Sequence, residues 1–273
     1  MFTLLFPTSI GLMLMGAISM IWLKLRDVKQ AQKRQQQGIL RLEKMRLLIS
    51  RIQKHRGLST GYLNGDKNSL PDIKQLQYSI AGDIISIKKL DIGLNQDERW
   101  PNVLSHWKRL SEKFNHREVD NNFNQHTQLI RSLLYLIEDI ADGHQLLKLK
   151  HPHIQSSRVL WKELLIAIEC IGQARAIGTG VAAAGECDSI ARIRLNYLKQ
   201  RIAETSTKVW QGLPAAKGDE EQLNQLIKEI ELKLLTGKPS ITASEYFKRC
   251  SQMIDALYDY FDKYMEELKE VAS

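Results

Sequence analysis

Cysteine is sparse in this chain: Cys170, Cys187 and Cys250 are three, an odd number, and far apart. That excludes a dense disulfide framework and fits a reducing compartment. No strand-like alternation of apolar and polar residues persists long enough to argue for a sheet. There is also no glycine-rich phosphate cradle after a strand. His151 and His153 bracket Pro152 without a third ligand at metal-binding spacing, and read as two exposed histidines on a turn. Ser59 and Thr60 lie near His55, but neighbours on one helix do not make a nucleophile, base and acid. Neither catalysis nor a cofactor is expected, and Cys170 and Cys187 read as small buried hydrophobes.

Charge is missing altogether from the first 23 residues. As a helix rising about 1.5 Å per residue this run spans roughly 35 Å, enough to cross the hydrocarbon core of a bilayer. The alternative, a cleavable signal peptide, calls for a basic start and a shorter apolar stretch. Nothing basic precedes this run, and Trp22 sits at its far end, where an interfacial aromatic belongs. The next most apolar stretch, residues 160–185, is interrupted by Lys162, Glu163, Glu169 and Arg175. Residues 1–23 are therefore expected to be a transmembrane anchor. Lys24, Arg26, Lys29, Lys33 and Arg34 follow it directly, which places the rest of the chain in the cytoplasm, with the periplasm as the alternative.

The formal charge of +8 is concentrated near this anchor: residues 24–56 carry eleven basic side chains against Asp27 and Glu43. Such a stretch meets anionic lipid headgroups, and no nucleic-acid motif accompanies it. Residues 24–38 read as a basic juxtamembrane helix.

Beyond it the periodicity is helical. Ile39, Leu42, Met45, Ile49 and Ile52 recur at steps of three and four, the mark of one apolar stripe. Further helices are expected at 72–92, 102–114, 121–147, 156–184, 189–213, 220–235 and 243–271. Asn64-Gly65, Pro71, Pro101, His151-Pro152, Gly185, Pro214, Gly218 and Gly237-Lys238-Pro239 read as turns between them. Thr242 and Glu245 form a capping box at the start of the last helix, and Tyr258, Tyr260, Phe261 and Tyr264 cluster late in it. The expected fold is all-α, about eight soluble helices arranged as two four-helix bundles, one over residues 39–150 and one over 151–270.

A short internal likeness supports that division. Arg56-Gly57-Leu58-Ser59-Thr60-Gly61 parallels Arg175-Ala176-Ile177-Gly178-Thr179-Gly180. Each follows a stripe in the same register: Met45, Ile49 and Ile52 before Arg56, and Leu164, Ile168 and Ile171 before Arg175. Each arginine thus takes a core-facing position, where a guanidinium needs a partner. Small residues after it allow close helix approach or leave a cavity, and Ser59, Thr60 and Thr179 add hydroxyls. Two such arginines suit a planar oxyanion, since the guanidinium fork donates two parallel N–H bonds. An internal salt bridge to Glu169, Glu138 or Asp139 satisfies the same spacing, and both readings stay open.

The segment from Lys54 to Leu63, with its Arg56-Gly57 pair and the small residues after it, resembles the first signature of the nitrate- and nitrite-sensing (NIT) domain family. The stretch from Gly172 to Gly178 is similar to its second arginine-bearing segment. Thr242-Ala243-Ser244-Glu245-Tyr246-Phe247, followed by Met253-Ile254-Asp255-Ala256-Leu257, is similar to its closing helix. The resemblance covers roughly residues 40–267. It implies two four-helix bundles without catalytic activity, and binding of nitrate or nitrite by Arg56 and Arg175, with Ser59, Thr60 and Thr179 in support. The chain departs from the family at His55, where a charged residue is common; a neutral histidine there lowers the positive field. Further basic residues on later helices are implied, with Arg192, Arg194 and Arg201 as candidates.

The expected function is a membrane-anchored sensor for a small oxyanion, nitrate or nitrite. Little sequence follows the last predicted helix, so the signal is expected to leave through a separate signalling protein, a homo-oligomer or the anchor. The alternative is a non-catalytic helical scaffold that docks another membrane component, with both arginines in internal ion pairs.

Overall fold

A computed structural model describes residues 5–90 and 99–273. The expected anchor falls partly outside this range, since residues 1–4 and the side chains of 5–14 are not described; Ile92, the expected end of the second soluble helix, lies outside it too. The described residues form eight α-helices: α1 (Leu5–Leu63), α2 (Leu70–Leu90), α3 (Arg99–Glu112), α4 (Val119–Gly143), α5 (Leu165–Ala184), α6 (Ser189–Gly212), α7 (Glu220–Glu229) and α8 (Ala243–Val271). Among them there is no strand, and a bridge between His151 and Ile154 is isolated. The protein is all-helical.

The apolar stripe dictates how α1 packs. Ile39, Leu42, Met45, Ile49 and Ile52 are each at most 1% exposed. Each such side chain, fully buried, contributes about 1.5–3 kcal/mol. α1 packs against α2 and α4, and α3 lies on α4. α5 packs against α6 and α8, and α7 touches both α6 and α8. α1 also meets α5 and α8, so the two sets share a seam. Along it α1 and α8 run antiparallel: Gln36 donates to the Ala272 carbonyl at 3.2 Å, Arg46 pairs with Asp262, and the Tyr258 hydroxyl donates to Gln53 at 2.9 Å.

Before it reaches this seam, α1 is a lone helix. Residues 15–30 are all exposed, including Met15, Ile18, Met20, Ile21 and Trp22. Leu160–Ala184 is long and apolar enough by length and composition to cross a membrane, but 61% of its 18-residue apolar window is buried inside the fold, where it serves as a core helix.

Helix ends follow local chemistry. Thr242 accepts from the Glu245 amide at 3.2 Å, so the first half of the expected capping box is made, while the Glu245 carboxylate turns to Arg249. Asp188 caps α6 by accepting from Ala191 at 2.7 Å. Two turns expected from proline are instead helical: Pro71 and Pro101 sit in the first turns of α2 and α3. The amide that proline lacks has no intrahelical acceptor there, and its fixed φ suits a helix start. The expected helices at 156–184 and 220–235 each contain a π-helical turn, Leu160–Leu164 and Ile230–Leu234.

Candidate functional site

Arg56 is 1% exposed and meets Glu169 of α5 through both arms of its fork. Nη1 donates to Oε1 at 2.6 Å and Nη2 to Oε2 at 3.2 Å. Of the three carboxylates the spacing allowed, Glu169 is thus the partner. Glu138 pairs with Lys162 and Asp139 with Arg99. Two amides complete the carboxylate's shell: Gln53 donates to Oε2 at 2.8 Å and Gln173 to Oε1 at 2.9 Å. Thr127 accepts a further bond from Arg56 at 3.1 Å, and Phe123 lies under the guanidinium, 5.3 Å to its ring centre. The chain can be this close because residue 172 is glycine: a Cβ there would stand 3.1 Å from Arg56 Nη2.

Beside the pair runs a buried imidazole chain. His126 Nδ1 lies 2.7 Å from the Asn122 carbonyl, which only accepts, so that nitrogen carries the proton. His126 Nε2 must then accept from His55 Nδ1, 2.8 Å away, and His55 Nε2 accepts from Gln77 at 3.1 Å. One arrangement, with both rings neutral, satisfies every atom. Burial, and after it the charge of Lys74, lower the His55 pKa to about 4. Burial followed by His55 moves His126 well down too. His55 therefore adds no positive field to Arg56.

Arg175 lives differently. It is half-buried, donates to Ser251 at 2.8 Å, and stacks over Phe247 with 4.9 Å to the ring centre. Among the described residues it forms no ion pair with a carboxylate. Burial, and next the like charge of Arg56, push its guanidinium below the usual arginine value, so the two cations lie within each other's field. Arg175 faces a groove of about 580 Å³ that Gly57 and Gly61 of α1 and Ser251 of α8 also line. Gln53 lines this groove as well, whereas Glu169 and Gln173 line a separate cleft of about 390 Å³ between α4, α5 and α6, together with Thr127, Arg131 and Arg201. The Arg56–Glu169 pair thus sits between two cavities.

The hydroxyls are spread apart. Ser59 is buried, donates to the Arg56 carbonyl at 3.2 Å and accepts from Asn122 at 3.0 Å; Thr60 accepts from the same amide at 3.3 Å. Thr60 lines a cleft of about 230 Å³ with Ala176 and Gly180 of the second arginine segment. The Thr179 hydroxyl is buried without a hydrogen-bond partner. The five expected side chains therefore do not open into one cavity. Gly178 is filled from outside: a Cβ there would lie 2.3 Å from the Tyr246 ring, whose hydroxyl donates to the Ala174 carbonyl at 3.2 Å.

Of the other basic candidates, Arg192 donates to the Leu235 carbonyl and Arg194 pairs with Asp120. Arg201 pairs with Glu204 and borders the Glu169 cleft. His151, expected to be exposed, is a correction. Its side chain is 8% exposed, packs on Tyr264 and meets Glu267 at 3.0 Å. The three cysteines are buried, and burial raises the thiols of Cys170 and Cys250 to about 12. Sequence reasoning missed Gln53, Gln173, Asn122 and His126. Gln53 and Gln173 alone carried a signal, one lying three residues before Arg56 and the other four after Glu169.

These features define an all-helical domain with cations gathered where α1 meets α5. The chain belongs to the nitrate- and nitrite-sensing (NIT) family, whose model matches residues 87–268. The match takes in Arg175, Glu169 and most of α8, and begins after Arg56. Among solved structures, that of the NasR transcription antiterminator superposes with a TM-score of 0.70 at 16% identity, over 94% of this chain and 74% of that one. At that identity the likeness is one of fold. No curated protein matches.

Proposed function

We propose that this chain is a membrane-anchored sensor of a small oxyanion, nitrate or nitrite, which passes its signal to a separate protein. Family membership supports the ligand class. The observation that carries the assignment to residues is that Arg175, which lies within the field of Arg56, forms no ion pair with a carboxylate among the described residues, although Asp255 lines the same groove. Arg175 and Arg56 contact the anion in this reading, with Ser59, Thr60 and Thr179 in support. A guanidinium stacked on Phe247 keeps N–H donors free in its plane for a planar anion.

The same reading takes α1–α4 and α5–α8 as two four-helix bundles, divided near residue 150, with a homo-oligomer as a further possible form of output. Residues 1–23 anchor the chain, residues 24–38 meet lipid headgroups, and the sensory domain of residues 39–270 lies in the cytoplasm, or in the periplasm as the alternative. The exposed apolar side chains from Met15 to Leu23 support the anchor. Because the native cysteines are buried, topology is best tested by labelling an introduced one at Tyr78, which is 75% exposed.

To test the ligand, nitrate and nitrite are titrated calorimetrically into the full chain and into Arg175→Ala. Saturable heat in the wild type and its loss in the variant are expected. If neither anion gives heat with the wild type while the fold is intact, the sensor reading fails. The Arg56–Glu169 ion pair favours a second reading, a helical scaffold for another membrane component, and that outcome would leave it standing.

A further inference from the structure

The fork of Arg56 is already filled. Each Glu169 oxygen receives one guanidinium N–H and one side-chain amide: Arg56 and Gln173 on Oε1, Arg56 and Gln53 on Oε2. A carboxylate presents two oxygens in a plane and shares one negative charge between them. Nitrite and nitrate present the same pattern. Four donors converging on a planar monoanion therefore form a built site for this class of ligand, and the protein holds its own side chain in it.

Resting on the sensor reading above, we infer that nitrate or nitrite reaches Arg56 by exchange with the Glu169 carboxylate, through the cleft between α4, α5 and α6. A second anion cannot simply be added, because both arms of the fork and both glutamines are engaged. Exchange replaces one monoanion with another on the same donors, so the buried charge balance is kept. The cleft provides for the displaced group. Glu169 already lines it, and so do Arg131 and Arg201. Arg131 is exposed and forms no ion pair among the described residues, so it is available to a carboxylate that swings outward.

The exchange also supplies a signal. Glu169 belongs to α5 and Arg56 to α1, so their pair ties the two helices directly. A free anion in its place is joined to α5 only by the Gln173 amide and no longer by a covalently attached side chain. Ligand affinity is then lowered by the fraction of time Glu169 occupies the site, and the population shifts only as far as the anion outcompetes it.

Calorimetry and thermal unfolding of the full chain test this, with nitrate, nitrite and formate as ligands and chloride as the ionic-strength control. Glu169→Gln keeps the shape and removes the charge. It should bind nitrate about tenfold tighter than wild type, and nitrate should raise its Tm more than that of the wild type. Formate should do the same, as a free carboxylate entering the site. Glu169→Asp keeps the charge and all four donors but is too short to sit squarely in the fork, so it remains informative if Glu169→Gln does not fold; several-fold tighter binding is expected. Equal nitrate affinity in the wild type and these variants overturns the exchange and leaves the sensor reading intact. Absence of binding in all of them overturns both.

Discussion

Arg56 and Arg175 follow the same apolar stripe and precede the same run of small residues, yet one is locked to a carboxylate and the other faces an open groove. The reason lies six residues upstream. α5 carries Glu169 at that distance before its arginine, and this side chain crosses to Arg56. α1 carries Ser50 at the equivalent place, so no carboxylate returns the contact to Arg175. Ser50 lines the groove that Arg175 faces and donates only to its own helix, to Leu47 at 2.9 Å. Spacing decides which face of a helix an arginine occupies; the partner it finds depends on what the neighbouring helix offers.

The sharpest way to separate the two arginines is stability. Arg56→Met leaves Glu169 buried with no opposite charge and should cost about 3–5 kcal/mol, read from urea unfolding followed by circular dichroism. The matching change at Arg175 removes one bond to a hydroxyl and a ring stack, and should cost about 1 kcal/mol. Equal losses would mean that the ion pair does not distinguish the two sites.

Next in size is a pH effect confined to the Arg56 side. Folded His55 takes up a proton only near pH 4, whereas in the unfolded chain it does so at about 6.5. As pH falls, the unfolded chain binds the proton first. Stability is therefore whole above about pH 6.5 and declines toward pH 4, by about 3 kcal/mol from His55 alone. His126 acts in the same direction. Urea midpoints measured across that range should fall steadily, and a flat profile would exclude a neutral buried pair.

The smallest change is designed to erase the difference. Ser50→Glu gives Arg175 the carboxylate that Arg56 already has. It should weaken nitrate binding about tenfold, or about 1.4 kcal/mol, with little effect on the unfolding midpoint. Unchanged affinity would place the anion away from Arg175.

Much of this arrangement was legible in the sequence. The stripe from Ile39 to Ile52 buries as its period predicts, and α8 begins and ends where its cap and periodicity place it, at Ala243 and Val271. What escaped was choice among distant partners. Glu169 was one of three eligible carboxylates, and no local rule ranks side chains that lie 82, 83 and 113 residues away from Arg56. His126 escaped for the same reason: its partner His55 is 71 residues away, and a lone histidine on a helix face announces nothing. Pro71 and Pro101 misled because proline both ends helices and starts them, and only the surrounding packing tells which.

The unbroken run of α1 from Leu5 to Leu63 has a mechanical consequence. At about 1.5 Å per residue it is a rod roughly 88 Å long, with a fixed angular phase of about 100° per residue along its whole length. Its C-terminal part is clamped by α8 through Arg46 and Gln53, one turn before Arg56, while residues 15–30 stand clear of the other helices. A change in how α5 grips Arg56 is therefore a change in the rotational setting of that rod, and torsion would carry it along the axis to the far end without any residue between having to move relative to its neighbours.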